Sequence, residues 1–524
     1  MKFNSLFITC CSATFELENN KIYKVENDFN VYLNEKLVLI TNRNVFTIYD
    51  LSPDTEYKIR IDEDELTFKT NDVSYVLHMN EFIRSKNEKD DNLRVQAAIN
   101  MTPKNGLLIF DEGDYYITSL FLKSDITIEI KKGARLLGNT DVDSYPLGPG
   151  EIKPYHKEDK PLELLSWEGN PFVGKPSLIS GYEVKNVNIV GEGLIDGRAN
   201  QSKFWDDVKH LPWGRPRLVF LMRCDNINFV GINFANTACW TLHPYFSTNL
   251  GFYDIEITNP KDSPNTDGMD PEACEHVNII GVRFSVGDDC IALKSGKIYI
   301  GSTFKKPCND VTIRNCFMNE GHGAIVLGSE AGAGLTNLLI ERCYFKHTDR
   351  GLRIKSRRGR GKDSVIDNVV FKDIYMDNVL TPLTINMFYF CDPDGKTDYV
   401  QNRNPLPVDD QTPYLGSFRF ERMHVIDSEY AFGYFLGLPE RPIGSITIVD
   451  SEFTTKEDAS KGRPIMASNI EEVSKLGFVF ENVENVYLEN VKTSGYIGKE
   501  IVENGVTKIT KVNVWWSLYP SWFR

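Results

Sequence analysis

A chain of 524 residues with 41% hydrophobic and 25% charged residues sits in the ordinary globular range, which excludes a wholly disordered protein. A formal net charge of -14 excludes a general nucleic-acid binder, since phosphate contacts need a broad basic surface. No run of about 18 apolar residues occurs, so no membrane helix is expected, and any acidic ligand would have to meet a local basic patch.

In chain order, residues 1–72 read as short alternating strands: Leu6 to Ile8, Phe15 to Leu17, Val31 to Leu33, Leu37 to Thr41, Val45 to Tyr49, Tyr57 to Ile61 and Leu66 to Phe68. Turn residues separate them, as in a small β-sandwich. The segment Leu51-Ser52-Pro53-Asp54-Thr55-Glu56-Tyr57 resembles the tyrosine corner of a fibronectin type III module, in which a buried Tyr bonds back upstream. Such a module is either a structural appendage or a substrate guide. The opening Met1 to Ala13 has the outline of a secretory leader. Thr9, Cys10, Cys11 and Ser12 interrupt it, however, and it runs into the alternating Phe15-Glu16-Leu17-Glu18, so a strand is the expectation.

The 10 cysteines show no CxxC pair and read mostly as buried small hydrophobes in a reducing compartment. A cytoplasmic location is therefore expected, with secretion as the alternative.

From residue 73 onward a second domain is predicted. Asp90-Asp91-Asn92 can cap a helix with Leu93, Val95, Ala97, Ala98 and Ile99 on or near its apolar side. Beyond it similar units recur: Val187-Asn188-Ile189-Val190-Gly191, Ile227-Asn228-Phe229-Val230-Gly231 and Val277-Asn278-Ile279-Ile280-Gly281, with later relatives starting at Val311, Leu338 and Val369. A second strand follows the first by 13 or 14 residues, at Cys290, Ala324 and Leu352. Such stacked units bury their apolar faces only against one another. The expected fold is all-β: a right-handed parallel β-helix over residues 73–524, its open N-terminal end closed by the helix and shielded from edge pairing.

Four motifs fall on successive coils: Asn265-Thr266-Asp267, Gly287-Asp288-Asp289-Cys290, Gly321-His322-Gly323 and Arg353-Ile354-Lys355-Ser356. Asp267 precedes Asp289 by 22 residues, and steps of 33 lead on to His322 and Lys355. Neighbouring parallel strands lie roughly 4.8 Å apart, so these side chains are expected in one cleft. Three carboxylates at that range cannot all ionise freely, and the resulting split supplies an acid and a base, as glycoside hydrolysis requires. Calcium is the weaker account of the trio, because two fixed cations stand beside it.

In this order and spacing the motifs resemble the polygalacturonases of glycoside hydrolase family 28, from about Arg84 onward. The resemblance implies an inverting hydrolase of α-1,4-galacturonide bonds, acting on polygalacturonate or oligogalacturonides without metal or cofactor. It implies Asp288 as general acid and Asp267 and Asp289 as the pair holding and deprotonating the water. His322 would support the acid, Asn265 would position, and Arg353 and Lys355 would bind the uronate carboxylate. The basic run after Lys355 suggests Arg357 and Arg358 as further uronate contacts.

Long interruptions around Tyr145 to Pro176 and Cys391 to Pro413 could wall off the cleft, which makes an exo-acting enzyme the expectation. Trp167, Phe172, Trp205, Trp213 and Trp240 are candidates for a sugar platform. An endo-polygalacturonase, a rhamnogalacturonan or xylogalacturonan hydrolase, a calcium-dependent pectate lyase and a non-catalytic pectin-binding β-helix remain as alternatives.

Overall fold

The computed structural model describes residues 1–524 apart from 85–87, 154–155, 157–160, 209–213 and 513–524. The repeat is built around one corner of each coil. Asn186, Asn226, Asn249, His276, Asp310, Asn337 and Asn368 all take left-handed backbone with φ between 54 and 58°. Asn, Asp and His are among the few residues with side chains that tolerate this conformation readily, which explains their recurrence just before the apolar triplet of each unit. The amide of Asn226 donates to Asn186 at 3.0 Å and that of Asn368 to Asn337 at 2.7 Å, so side chains bond along the stack. After each corner the strands pair in parallel: Val187 with Ile227, Ile227 with Leu250, Leu250 with Val277, Val277 with Val311. Their inward side chains, such as Phe229, Phe252, Ile279, Ile313 and Ile340, form one continuous core. A parallel β-helix results, as expected.

The N-terminal strands form β1 (Phe3–Ile8), β2 (Ala13–Leu17), β3 (Lys24–Leu33), β4 (Lys36–Arg43), β5 (Val45–Ile48), β6 (Glu56–Ile61) and β7 (Asp64–Lys69). A three-stranded sheet in order β1-β2-β5 and a four-stranded one in order β4-β3-β6-β7 share a core around Phe15, Phe46, Ile59 and Phe68. Tyr57 Oη accepts the Ser52 amide at 2.8 Å, so the corner bond read from the sequence forms. This sandwich is seated on the β-helix. Glu16 takes both arms of Arg314 at 2.7 and 2.8 Å and also Arg342 at 3.0 Å, while Asp254 joins Arg43 to Arg283. Close seating needs the turn glycines of the repeat. A Cβ on Gly231 would lie 1.9 Å from Tyr49 Oη, and one on Gly281 would lie 2.6 Å from Val45. Both also hold positive φ, of 76 and 73°, so two demands converge on the same residue.

Helix α1 (Asn92–Met101) buries Val95, Ala98 and Ile99 in the first coil, whereas Leu93 and Ala97 are exposed. Asp91 stands at its N-cap without making a side-chain cap. Its carboxylate accepts the Arg94 guanidinium and the Tyr116 amide, both at 2.7 Å, and so fixes the helix to the coil beside it. Nine of the ten cysteines are buried free thiols and Cys391 is exposed. Among the described residues no helix is long and apolar enough to cross a membrane.

Candidate active site

One face of the β-helix carries the strands Leu242–Tyr245, Asp289–Leu293, Gly323–Leu327, Arg350–Lys355 and Thr381–Asn386. Between the first two the ladder thins to single bridges at Met269 and Glu272, where the segment carrying Asp267 leaves the coil. Asn265 makes that departure possible with φ of 54°, and its side chain is held by Arg215 Nη2 at 2.6 Å. Thr241 anchors the Asp267 carbonyl through both its amide and its hydroxyl, each at 2.8 Å.

The expected cluster is assembled. One carboxylate oxygen each from Asp267, Asp288 and Asp289 lies within 4.8 Å of the others. His322 Nδ1 faces Asp288 Oδ1 at 3.1 Å, and its backbone amide donates to the Asp288 carbonyl at 3.0 Å. Asp289 accepts Lys355 Nζ at 2.7 Å and Arg353 Nη1 at 3.3 Å. These residues and Asn265 line one cleft of about 250 Å³, together with Trp167, Trp240, Lys294, Glu330 and Tyr389.

Equal spacing in sequence does not mean equal angular position. Asp289 pairs with Gly323, but Arg353 pairs with Val326, three residues further along its strand. The cations therefore reach back along the face toward Asp289, which is how two long side chains converge on one carboxylate.

The environments of the aspartates differ in sign. Burial alone would push Asp289 up, but the Lys355 ammonium and Arg353 guanidinium outweigh it and hold the carboxyl far below its usual range. Asp267 is driven well above its usual range by burial and by Asp270 and Asp288 nearby, and its Oδ1 is buried without a hydrogen-bond partner. His322 is raised by its bond to Asp288, against the effect of burial. The cleft thus combines a secured anion, a carboxyl inclined to keep a proton and a histidine inclined to stay charged. Three converging carboxylates could hold a hard cation on geometry alone, yet Arg353 and Lys355 already occupy the Asp289 oxygens.

At the floor of the cleft lies a buried charge layer that the sequence motifs did not reveal. Lys294 Nζ lies 3.2 Å from Glu330 and 3.4 Å from Asp270, with the Trp240 ring 4.3 Å away. Glu272, bonded to His243 Nε2 at 2.9 Å, is pushed by burial to about 8. The available signal was the outward alternation of Ala292 and Lys294 around the inward Leu293, which put a lysine on the cleft face.

Arg357 and Arg358, expected to extend uronate recognition, turn away from the cleft and are 4% and 1% exposed. Arg357 bonds Asp392 and Asp394, and Arg358 forks onto Glu440 at 2.6 and 2.8 Å. Guanidinium groups engaged with carboxylates and backbone carbonyls inside the protein are not presented to substrate. Among the aromatic candidates, Trp167 and Trp240 stack at 4.9 Å in the cleft, whereas Trp205 packs on the main core and Phe172 is not among the cleft residues. Trp213 lies outside the described residues. No residue of the N-terminal sandwich lines the cleft either.

Fold and cleft together define the class: a parallel β-helix protein with an acidic groove bordered by cations. Residues 164–409 match the profile of Glycosyl hydrolases family 28. A "Probable polygalacturonase" of Vitis vinifera is 31% identical over 270 residues, covering 50% of this chain and 51% of that protein. An "Exo-poly-alpha-D-galacturonosidase" of Dickeya chrysanthemi is 26% identical, over 61% of this chain and 58% of its own length. An "Endo-polygalacturonase" of Pectobacterium carotovorum subsp. carotovorum is 27% identical, with coverages of 52% and 64%. The chain therefore spans between half and just under two thirds of these curated relatives. The solved family 28 exopolygalacturonase of Yersinia enterocolitica has the same fold, with a TM-score of 0.65 at 17% identity, covering 98% of this chain and 97% of that one.

Proposed function

We propose that this chain hydrolyses α-1,4-galacturonide bonds of polygalacturonate or oligogalacturonides with inversion, acting from the non-reducing chain end. The observation carrying this reading is the placement of Arg353 and Lys355 on the catalytic face beside the three aspartates. An acidic protein that handles an acidic polymer needs fixed cations at the point of cleavage. A planar guanidinium next to an ammonium suits a uronate carboxylate better than a neutral sugar.

In this reading Asp289, kept anionic by its two cations, takes the proton of the attacking water. Asp267 holds that water from the other side. The Asp288–His322 pair keeps the proton that the leaving oxygen receives. Inversion comes with the family resemblance, because the carboxylate oxygens lie closer together than the roughly 6.5–9.5 Å usual between the two carboxyls of inverting enzymes. Exo action is supported by a wall over the cleft made by Trp167, Glu168, Cys391 and Asp392, all from the long interruptions of the repeat. The buried free thiols suit a reducing compartment, which favours oligogalacturonides inside the cell as the substrate.

A product time course on polygalacturonate, with and without a chelator, tests the reading. Steady release of galacturonate or its dimer, little loss of viscosity and no ultraviolet-absorbing double bond are expected in both conditions. Rapid loss of viscosity with mixed oligomers would favour the endo alternative. An unsaturated product that vanishes with chelator would identify a lyase, and no cleavage would point to a different pectic backbone.

A further inference from the structure

Two interruptions of the repeat, more than two hundred residues apart in sequence, meet at one ammonium group. The first ends in a hairpin that pairs Ser166–Trp167 with Asn170–Pro171. Its turn is seated by a bond from the Lys297 amide to the Gly169 carbonyl at 3.0 Å. Gly169 has φ of 71°, and a Cβ there would lie 2.5 Å from Lys297 N, so only glycine allows this approach. The side chain of Lys297 lies 3.5 Å from Glu168 on the same hairpin and 3.1 Å from Asp392 on the second interruption.

Asp392 is also bound by Arg357 Nε at 3.2 Å and by Arg360, so three cations converge on one carboxylate that is 9% exposed. Burial would raise this carboxyl, but Arg360, Lys297 and Arg357 hold it at about 2, so it stays anionic across the working pH range. Trp167, Glu168, Cys391 and Asp392 are the parts of these two segments that face the cleft. The basic run after the fourth motif thus pins part of the cleft wall.

We propose that Lys297 and Asp392 form a clasp that joins the 166–171 hairpin to the 391–395 loop, and that this clasp sets where along a galacturonan chain the enzyme cuts. The inference rests on the exo reading above. Lys297 is a positioning residue, since it does not line the cleft itself. Opening the clasp removes one wall, lets the polymer run through, and leaves Asp267, Asp288 and Asp289 where they are.

The test compares wild type, Lys297→Met, Lys297→Arg and Asp392→Asn on polygalacturonate, scoring product size and viscosity, with turnover of trigalacturonate as the control. Wild type is expected to release monomer or dimer. Lys297→Met and Asp392→Asn are expected to shift release to mixed oligomers with a several-fold faster fall in viscosity. Lys297→Met should keep its turnover of trigalacturonate, and Lys297→Arg should restore the wild-type pattern. If wild type is exo-acting and folded Lys297→Met and Asp392→Asn release the same products, the clasp is refuted alone. If wild type already yields mixed oligomers, the exo reading fails and the clasp falls with it.

Discussion

Arg358 offers the sharpest contrast between a binding role and a structural one. Its guanidinium meets Glu440 in a fork and donates to the carbonyls of Tyr399 at 3.1 Å and Asn402 at 2.7 Å, with the Phe388 ring 5.5 Å away. In Arg358→Met the aliphatic stem is kept, while Glu440, itself buried, is left without its cation. Removing one partner of such a pair costs roughly 3–5 kcal/mol. Unfolding entropy of about 2.1 cal/mol/K per residue amounts to about 1.1 kcal/mol/K over 524 residues, so Tm should fall by about 3–5 °C. Calorimetry measures that shift, and steady-state kinetics below the transition should find KM for galacturonides unchanged. The double variant Arg358→Met/Glu440→Leu removes the stranded charge and should recover most of the loss. An unchanged Tm together with a raised KM would refute the reasoning and return Arg358 to the substrate.

The remaining predictions concern the cleft and the charges beneath it. Asp289→Asn should lower kcat by roughly 10²–10⁴, as loss of a general base does, with folding intact by circular dichroism. Lys355→Met should raise KM for oligogalacturonides by roughly 10-fold or more, matching a charge-assisted bond of about 1.5–3 kcal/mol, and added salt should narrow the gap to wild type. Proton NMR of fresh product should show the β-anomer if cleavage inverts; a first-formed α-anomer would replace the water-holding role with a covalent one. Glu272→Gln tests the buried layer. The folded pKa of about 8 is above the unfolded value near 4.3, so the stability from this group is full below about pH 4 and is lost as pH rises to about 8. The variant should therefore weaken the loss of unfolding free energy between pH 5 and pH 8, by an amount on the order of a few kcal/mol. An identical pH slope in both proteins would show that Glu272 titrates normally.

The repeat was legible because a coil must present an inward apolar triplet at a fixed place, and Val187, Ile227 and Val277 do so in plain view. The corner ahead of it was not read from the sequence, although each unit sets an Asn, Asp or His there, because its reason is a backbone dihedral and not a contact. What the sequence conceals is the direction of a side chain in a segment without periodicity. Arg353 and Arg358 are near neighbours in sequence, yet Arg353 sits on a strand whose alternation turns it outward, while Arg358 lies beyond the strand end at Lys355. Past that point nothing in the local pattern decides between cleft and interior. The partner that decides it, Glu440, is 82 residues away.

The same separation explains why Lys294 and Glu330 escaped notice while the aspartates did not. A catalytic carboxylate betrays itself because several must crowd together, and crowding on a β-helix leaves a trace at coil spacing. A compensating cation needs only to lie beneath them. Lys294 supplies this just past the end of the strand that begins with Asp289, and it opposes the upward drive on Asp267 that burial and the neighbouring acids exert. Charge at this site is therefore divided by depth: Arg353 and Lys355 hold Asp289 anionic from one flank, and Lys294 balances the buried acids from below. Neutralising Lys294 would raise Asp267 further, whereas Asp289 leans on Lys355 and Arg353, so the two aspartates proposed to hold the water are tuned by different lysines.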